Sequence, residues 1–281
     1  MRRDIISEQR TDKFQLDSIR HIIAVASGKG GVGKSTISIN LALALSASGA
    51  KVGLLDADIY GPSQGMMLGL SADARPDIKN DHLLPIKAHG LLCMSMSFVA
   101  SERTPAIWRG PMASGAMQQL LVQTDWGELD YLIVDMPPGT GDIQLTLSQR
   151  VPLAGALIVT TPQDIALLDA TKGIEMFRRV EVPVLGIIEN MSTHICSHCG
   201  HEERIFGAGG GAKVAETYQT HLLAQLPLDL ELRQASDRGH PLVQSSPGAE
   251  ISQRFIEVAE KVVEEIDNQR QSAPVINVFD D

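Results

Sequence analysis

Residues 28–36 read GKGGVGKST, and this stretch decides the fold. It fits the phosphate-binding pattern G-x-x-x-x-G-K-[ST], with Gly33, Lys34 and Ser35 at the last three positions. The glycines let successive backbone N–H groups face phosphate oxygens, Lys34 adds a positive charge, and the Ser35 hydroxyl can ligate Mg²⁺. A plain glycine turn between a strand and a helix would not need this lysine and this serine. The stretch therefore predicts a site for ATP and Mg²⁺, with contacts from Gly28, Lys29, Gly30, Gly31, Val32, Gly33, Lys34, Ser35 and Thr36.

Short apolar runs alternate with longer helical patterns on both sides of this loop. The apolar runs cover residues 22–26, 52–55, 91–98, 131–135, 156–160, 184–188 and 222–226. The helical patterns cover residues 35–48, 113–124, 165–179 and 250–268. Continuous apolarity is typical of strands that are buried on both faces, as in a parallel sheet. The order predicts a P-loop NTPase of the α/β class, with a doubly wound, mainly parallel sheet flanked by helices.

The chain has 281 residues and no internal repeat or low-complexity linker, which favours a single main domain. We expect an N-terminal arm at residues 1–20, an ATPase domain at residues 21–270 and a C-terminal tail at residues 271–281. The last helical pattern has one apolar face and one largely acidic face. A membrane anchor would carry Lys and Arg on its polar face, so this pattern indicates a packing helix.

Composition and charge restrict the partners and the location. The net charge of −10 argues against nucleic acid as the main partner, because phosphate backbones are bound by basic surfaces. Three cysteines do not suggest a disulfide scaffold. No apolar run approaches the roughly 18–20 residues that a membrane span needs, and the first residues resemble no targeting peptide. We expect a cytoplasmic enzyme that binds neither nucleic acid nor a membrane.

Acidic residues follow two of the apolar runs. Asp56 and Asp58 follow residues 52–55, and Asp135 ends residues 131–135 in a Walker B pattern. Carboxylates at the carboxyl ends of parallel strands face the crevice in which such sheets bind ligands. We expect Asp135 to hold Mg²⁺ through its water shell and Asp56 to support the ion through a water. Loop capping is the alternative for Asp56 and Asp58.

The segment after Asp135 reads MPPGTGD and combines residues of fixed and of flexible backbone conformation. Such a loop can contact a γ-phosphate through backbone N–H groups and move on hydrolysis. Gly139 is the residue that we expect to make this contact.

A second lysine, Lys29, lies inside the phosphate-binding loop. The stretch KGGVGKS resembles the deviant P-loop of the SIMIBI-type ATPases that include MinD, ParA, the nitrogenase iron protein and ArsA. The resemblance implies that Lys29 reaches the nucleotide of the partner in a homodimer, and that Asp58 polarises the attacking water. Lys29, Lys34 and Asp58 are then the catalytic residues. It also implies that Asn190 contacts adenine, with an Asx turn or a helix cap as the alternative.

Cys196 and Cys199 form a C-x-x-C pair. Two thiolates are too few for a closed four-coordinate site, so three interpretations stay open. Two pairs in a symmetric dimer would supply four thiolates for a [4Fe–4S] cluster. The same arrangement suits Zn²⁺, with His198 or His201 as further ligands. Redox use is the third interpretation. Cys93 lies in an apolar run and is expected in the core.

Several longer stretches resemble the Mrp/ApbC family of iron–sulfur cluster carrier ATPases. They are residues 107–121, residues 125–142, residues 188–192 with the CSHCG that follows at residues 196–200, and residues 206–216. The likeness runs from about residue 20 to residue 265. It implies a transient [4Fe–4S] cluster that bridges a homodimer through Cys196 and Cys199, and transfer of this cluster to apo-proteins, with cluster scaffold proteins as further partners. Longer family members carry an extra domain before the ATPase, so contacts made by that domain are in doubt here.

Two other functions are weighed against the carrier. A positioning or partition switch like MinD or ParA would carry a basic amphipathic last helix or a basic face, and the acidic last helix disfavours both. A ligase or kinase of the dethiobiotin synthetase type would need a substrate pocket beside the γ-phosphate, and the sequence identifies none. Slow ATP hydrolysis is expected, because switch ATPases position water poorly until a dimer or a partner completes the site.

Overall fold

The computed structural model describes residues 13–99 and 110–272. Parts of three segments considered above lie outside these residues: residues 1–12 of the arm, residues 107–109 of one family motif, and residues 273–281 of the tail. The first strand begins at Ile19 and the last helix ends at Ser272, each two residues beyond the domain boundaries expected from the sequence.

A central β-sheet organises the fold. The strands of the described residues are β1 (Ile19–Ala26), β2 (Val52–Asp56), β3 (Ile78–Lys79), β4 (His82–Leu83), β5 (Ile86–Ala88), β6 (Leu91–Ser95), β7 (Leu129–Asp135), β8 (Leu153–Thr160), β9 (Val184–Glu189), β10 (His194–Ile195), β11 (Glu202–Glu203) and β12 (Leu222–Gln225). Eight of them form one sheet in the order β12-β9-β8-β1-β7-β2-β6-β5. All neighbours in this sheet are parallel except β5, which pairs antiparallel with β6.

Helices cover both faces of the sheet. In the described part of the chain they are α1 (Lys34–Ala47), α2 (Gln64–Met67), α3 (Met96–Val99), α4 (Gly110–Gln123), α5 (Asp142–Arg150), α6 (Asp164–Arg179), α7 (Gly210–Thr217), α8 (Leu230–Asp237), α9 (Leu242–Ser245) and α10 (Glu250–Ser272). Side chains of α1 and α10 join the core on one face, and those of α4, α5 and α6 join the core on the other. The predicted α/β fold, doubly wound with a mainly parallel sheet, is confirmed. β1 is a central strand between β8 and β7. The loop that follows it lies at the carboxyl edge of the sheet, where such sheets bind ligands.

The strand predicted over residues 91–98 is wrong in its second half. β6 ends at Ser95, and α3 follows at once. The hydroxyl of Ser95 accepts a hydrogen bond from the backbone N–H of Ser97 at 3.2 Å. This local bond satisfies a backbone donor that would otherwise pair with a neighbouring strand. Met96 and Phe98 are nevertheless buried. An apolar pattern alone does not separate such a short helix from the end of a strand.

The antiparallel pairs β3–β4, β5–β6 and β10–β11 were not predicted, and the first two are hairpins with two-residue turns. In the hairpin β3–β4 the turn residues Asn80 and Asp81 have φ angles of 50° and 62°, and in β5–β6 His89 and Gly90 have 50° and 85°. Two-residue hairpin turns with positive φ at both positions match the twist of the strands that they join. The sequence carried a turn signal in its Asn-Asp and His-Gly pairs, but β3, β4 and β5 have no strong apolar pattern.

The last helix packs as its pattern predicts. The five positions of the predicted apolar face are buried: Ile251, Phe255, Val258, Val262 and Ile266. They belong to the same core as the apolar residues of α1. The acidic residues Glu257, Glu260 and Glu264 are exposed on the other side. Within residues 13–99 and 110–272, no helix combines the length and the apolarity needed to cross a bilayer.

Candidate functional site

The phosphate-binding loop joins the end of β1 to the start of α1. Gly31 and Gly33 have φ angles of 82° and 89°. This left-handed region costs an L-residue with a Cβ roughly 1–2 kcal/mol, so glycine is favoured at both positions. Gly33 is also the N-cap of α1, where the first backbone N–H groups have no partner within the helix. These groups and the positive end of the helix dipole favour a bound phosphate.

Gly28 packs against α6. A Cβ at Gly28 would lie 2.1 Å from the carbonyl oxygen of Asp169, so the loop or the helix would have to move. We expect Gly28→Ala to weaken nucleotide binding about tenfold, which is ~1.4 kcal/mol and within the range for overpacking. Gly30→Ala is the matched control, because nothing lies within 4 Å of a Cβ there. Titration with a fluorescent nucleotide measures both variants, and equal affinities would contradict the prediction.

Lys34 and Asp135 form a buried ion pair beneath the loop. Lys34 Nζ lies 2.6 Å from Asp135 Oδ1, and the two side chains are 7% and 0% exposed. Ser38 Oγ donates to the same carboxylate oxygen at 3.0 Å. The predicted phosphate-binding lysine and the predicted Walker B carboxylate are therefore brought together. A nucleotide phosphate has to compete with Asp135 for the Lys34 ammonium.

Asp56 is buried beside Asp135, because the two residues pair directly across β2 and β7. Burial, and then the charge of Asp135, raise the pKa of Asp56 to about 7. The Asp56 carboxylate accepts hydrogen bonds from the Ser95 hydroxyl and from the backbone N–H groups of Asp58, Ser63 and Gln64. These contacts agree with loop capping, the alternative weighed for Asp56. Its support of Mg²⁺ stays a prediction.

Asp58 lies in the segment that Asp56 holds in place. Its side chain is half-buried, and its Oδ1 accepts a hydrogen bond from the backbone N–H of Gly61 at 3.1 Å. Asp58 therefore caps a turn between β2 and α2. Its action on an attacking water stays a prediction.

Gln64 is a site residue that the sequence analysis missed. It is the first residue of α2 and is 2% exposed. Its Nε2 donates to Asp135 Oδ2 at 2.7 Å and to the carbonyl oxygen of Ser35 at 3.2 Å. The side chain thus joins the Walker B strand to the phosphate-binding loop. A glutamine eight residues after Asp56 belongs to none of the motifs considered, so no sequence signal pointed to it.

The loop after β7 is tied to the segment before the P-loop. The N–H of Gly139 donates to the carbonyl oxygen of Ser27 at 2.8 Å, and the φ angle of Gly139 is 96°. Gln144 Nε2 donates to the carbonyl oxygens of Pro137 and Pro138 at 3.3 and 2.5 Å. The Gly139 N–H can contact a γ-phosphate only after its bond to Ser27 breaks. That contact stays a prediction.

Asn190 follows β9 and contacts the phosphate-binding loop. Its Nδ2 donates to the carbonyl oxygen of Val32 at 2.9 Å, and a Cβ at Gly33 would lie 2.2 Å from the same atom. The amide donor therefore braces the loop, and the contact with adenine stays a prediction. Lys29 is exposed, which a residue that reaches a partner subunit requires.

The oxygen atoms at this edge of the sheet fit Mg²⁺. The Ser35 hydroxyl lies 3.5 Å from Lys34 Nζ, which in turn contacts Asp135. Gln64 adds a buried amide oxygen, Oε1, that has no hydrogen-bond partner. Carboxylate, hydroxyl and amide oxygens are hard ligands of the kind that Mg²⁺ prefers. Ser35 would hold the ion directly and Asp135 through a water, and the ion would neutralise phosphate charge.

Cys196 and Cys199 lie in the turn between β10 and β11. The backbone N–H of Gly200 donates to the carbonyl of Cys196 at 2.8 Å, and that of Cys196 to the carbonyl of His201 at 2.9 Å. Cys196 is half-buried and Cys199 is exposed. Hydrogen bonds, first from the backbone of Cys199 and then from that of His198, lower the pKa of the Cys196 thiol. The lowered pKa favours a thiolate, the form that binds metals.

The described residues do not build a complete metal site at the C-x-x-C turn. Among the described residues, no three His, Cys, Asp or Glu side chains are grouped so that they could hold a metal ion. His201 instead approaches Glu203, with Nε2 at 3.7 Å from Oε1. Cys93 is 2% exposed, and burial raises the pKa of its thiol to about 12, which confirms it as a core residue.

Known proteins are similar to this chain over most of its length. Residues 18–263 match the model of a ParA-type family described as NUBPL iron-transfer P-loop NTPase. The iron-sulfur cluster carrier protein of Haemophilus influenzae is 63% identical over 249 residues, which cover 88% of this chain and 67% of the relative. The carrier protein of Escherichia coli K12 is 54% identical over 92% of this chain and 70% of its own length. The iron-sulfur cluster transfer protein NUBPL of Mus musculus is 50% identical over 93% and 82%.

Solved structures show the same fold. A nucleotide-binding protein of Archaeoglobus fulgidus in complex with ADP superposes with a TM-score of 0.71 at 38% identity, over 80% of this chain and 88% of that one. The cell division ATPase MinD of Pyrococcus furiosus gives 0.66 at 21% identity, over 87% and 99%, a likeness in fold alone. The resemblance found in the motifs is confirmed, and the chain belongs to the ParA-type family of NUBPL iron-transfer P-loop NTPases.

Proposed function

We propose that this chain binds and slowly hydrolyses ATP and carries an iron–sulfur cluster, which a homodimer holds and transfers to apo-proteins. The observation that carries the proposal is the presence in one chain of a P-loop with Lys29 and an accessible C-x-x-C turn. Relatives at 50–63% identity that are named iron–sulfur cluster carrier or transfer proteins support it.

The P-loop site supplies binding, charge and position for hydrolysis. The first N–H groups of α1 and the Lys34 ammonium hold the phosphates, and Ser35 and Asp135 hold Mg²⁺. Asp58 orients the attacking water, and Lys29 of one protomer neutralises charge on the nucleotide bound to its partner. Hydrolysis is slow because this last charge is missing until the dimer forms.

The C-x-x-C turn supplies the cargo site. Two thiols of one protomer and two of its partner give the four thiolates that a [4Fe–4S] cluster takes. Zn²⁺ is the alternative occupant, because it also accepts four thiolates in a closed site. The exposure of Cys199 suits a cluster that is handed on to another protein.

The two sites are coupled if the dimer differs in geometry between nucleotide states, because the nucleotide and the cluster then shift each other's affinity for the protein.

The partners that we propose are apo iron–sulfur proteins and cluster scaffold proteins, in the cytoplasm. A MinD-like membrane or DNA switch is disfavoured, because the exposed side of α10 carries acidic residues.

Anaerobic reconstitution with ferrous iron and sulfide tests the function. We expect dimeric protein with the visible absorbance of an iron–sulfur cluster, and transfer of this cluster to the apo-form of a small iron–sulfur protein. A reconstituted protein that binds Zn²⁺ but neither assembles nor transfers a cluster would overturn the carrier function.

Replacing Lys29 tests the homodimeric ATPase site. We expect Lys29→Ala to bind ATP with little change in affinity and to lose at least about tenfold in turnover, because a charge that acts only in the completed site stabilises the transition state. Lys87→Ala, at another exposed lysine, is the control. Normal phosphate release by Lys29→Ala at saturating ATP would contradict a role across the dimer.

A further inference from the structure

Gln64 has an unexplained buried atom at the nucleotide site. Among the described residues, buried side-chain polar atoms without a hydrogen-bond partner occur at Gln64 Oε1, Arg150 Nε and Ser252 Oγ. Of these three residues, Gln64 is the one that contacts both the P-loop and Asp135. Buried acceptors are nearly always satisfied in proteins, so an orphaned one in a ligand site indicates a donor that arrives with the ligand.

We propose that Gln64 is a positioning residue for the bound Mg²⁺: its Oε1 accepts a hydrogen bond from a water in the coordination shell of the ion, while its Nε2 holds Asp135. This inference rests on the ATP-binding function proposed above. Mg²⁺ dehydrates reluctantly and keeps several waters at sites built from one or two protein ligands. The charge of the ion polarises these waters and makes them strong donors.

The hydrogen-bond partners fix which end of the Gln64 amide is the free one. Nε2 faces two acceptors, Asp135 Oδ2 at 2.7 Å and the Ser35 carbonyl oxygen at 3.2 Å. The flipped amide would place its oxygen against a carboxylate and a carbonyl, which is repulsive. The atom left for a ligand is therefore an acceptor, and it suits a metal-bound water better than a phosphate oxygen, which donates no proton.

The backbone around Gln64 keeps its side chain in place. The N–H of Gln64 donates to Asp56 Oδ2 at 3.1 Å, and Asp56 pairs with Asp135 across the sheet. Gln64 thus joins three segments that would surround the ion: the end of β7, the start of α1 and the segment after β2. Loss of its amide removes a contact to Asp135 and the acceptor for the water together.

The test is the affinity of Mn²⁺, an electron paramagnetic resonance probe for Mg²⁺ sites, for the complex of the full chain with ADP. We expect Gln64→Leu to raise the Mn²⁺ dissociation constant about tenfold, with ADP affinity in EDTA unchanged. Gln225→Leu is the matched control, because Gln225 Nε2 also donates to a buried carboxylate, Glu189 Oε1, at 2.6 Å.

Two outcomes would overturn the role of Gln64 and leave the proposed ATP-binding function intact. One is wild-type Mn²⁺ affinity in Gln64→Leu; the other is a loss of ADP affinity that is equal with and without metal, as a purely structural role predicts. Wild-type protein that binds no ADP would overturn the proposed ATP-binding function together with this role.

Discussion

Replacing Lys34 with alanine is expected to abolish productive ATP binding, raising the dissociation constant about a hundredfold or more. Lys34 begins α1 and carries a charge at the position where the motif places the β- and γ-phosphates. Truncating one partner of a buried, hydrogen-bonded charge pair costs about 2–5 kcal/mol, and each ~1.4 kcal/mol is tenfold in affinity. Calorimetric titration with ATP and Mg²⁺ measures the effect.

The same substitution is expected to lower stability without nucleotide. Lys34 is the cation paired with the fully buried Asp135, whose other donors are Ser38 and Gln64. Removing one partner of a buried ion pair leaves an uncompensated charge and costs about 3–5 kcal/mol of the free energy of unfolding. Urea denaturation without nucleotide measures this loss separately from binding.

A second lysine pair provides the control for Lys34→Ala. Lys172 lies 2.9 Å from Asp169, but the lysine side chain is 59% exposed. Exposed ion pairs contribute only about 0–1 kcal/mol, so Lys172→Ala should change neither ATP affinity nor unfolding appreciably. ATP binding by Lys34→Ala with wild-type affinity would contradict the assignment of the phosphate site.

Replacing Cys196 and Cys199 together with alanine is expected to eliminate cluster assembly. Each protomer offers two accessible thiols at this turn, and the double substitution removes all four thiolates from the proposed dimer site. The hydrogen bonds that lower the pKa of Cys196 favour the ligating thiolate. Iron and sulfide analysis after anaerobic reconstitution should find neither element bound above background, while ATP binding persists.

The third cysteine is the control for this variant. Cys93 lies in β6, and burial raises the pKa of its thiol to about 12, so it is neither accessible nor ionised at neutral pH. Cys93→Ala should therefore keep full cluster content and lose only some stability, about 1 kcal/mol for a small core truncation. A cluster retained by Cys196→Ala/Cys199→Ala, or lost in Cys93→Ala, would place the cargo elsewhere.

Local patterns were sufficient for the scaffold and for the positions of the P-loop and the Walker B segment in it. The P-loop and the Walker B segment are short motifs whose chemistry depends on residue type and spacing, and both lie where the sequence places them, after β1 and at the end of β7. Six strands were found from continuous apolarity, because strands buried on both faces leave no room for polar residues. The strand predicted over residues 91–98 is correct for β6 and wrong from residue 96 onward, because α3 also buries apolar side chains and continues the apolar pattern of the strand.

The sequence by itself determined that this chain is a P-loop NTPase of a doubly wound α/β fold and that it carries a C-x-x-C pair. Only the tertiary structure decided which atoms these residues contact: Lys34 pairs with Asp135 across 101 positions, Gln64 meets Asp135 across 71, and Asn190 braces Val32 across 158. The physical reason is that a motif specifies local backbone and chemistry. Hydrogen bonds between distant segments depend on strand order and register, which bring β2, β7 and β9 with the loops that follow them to one edge of the sheet.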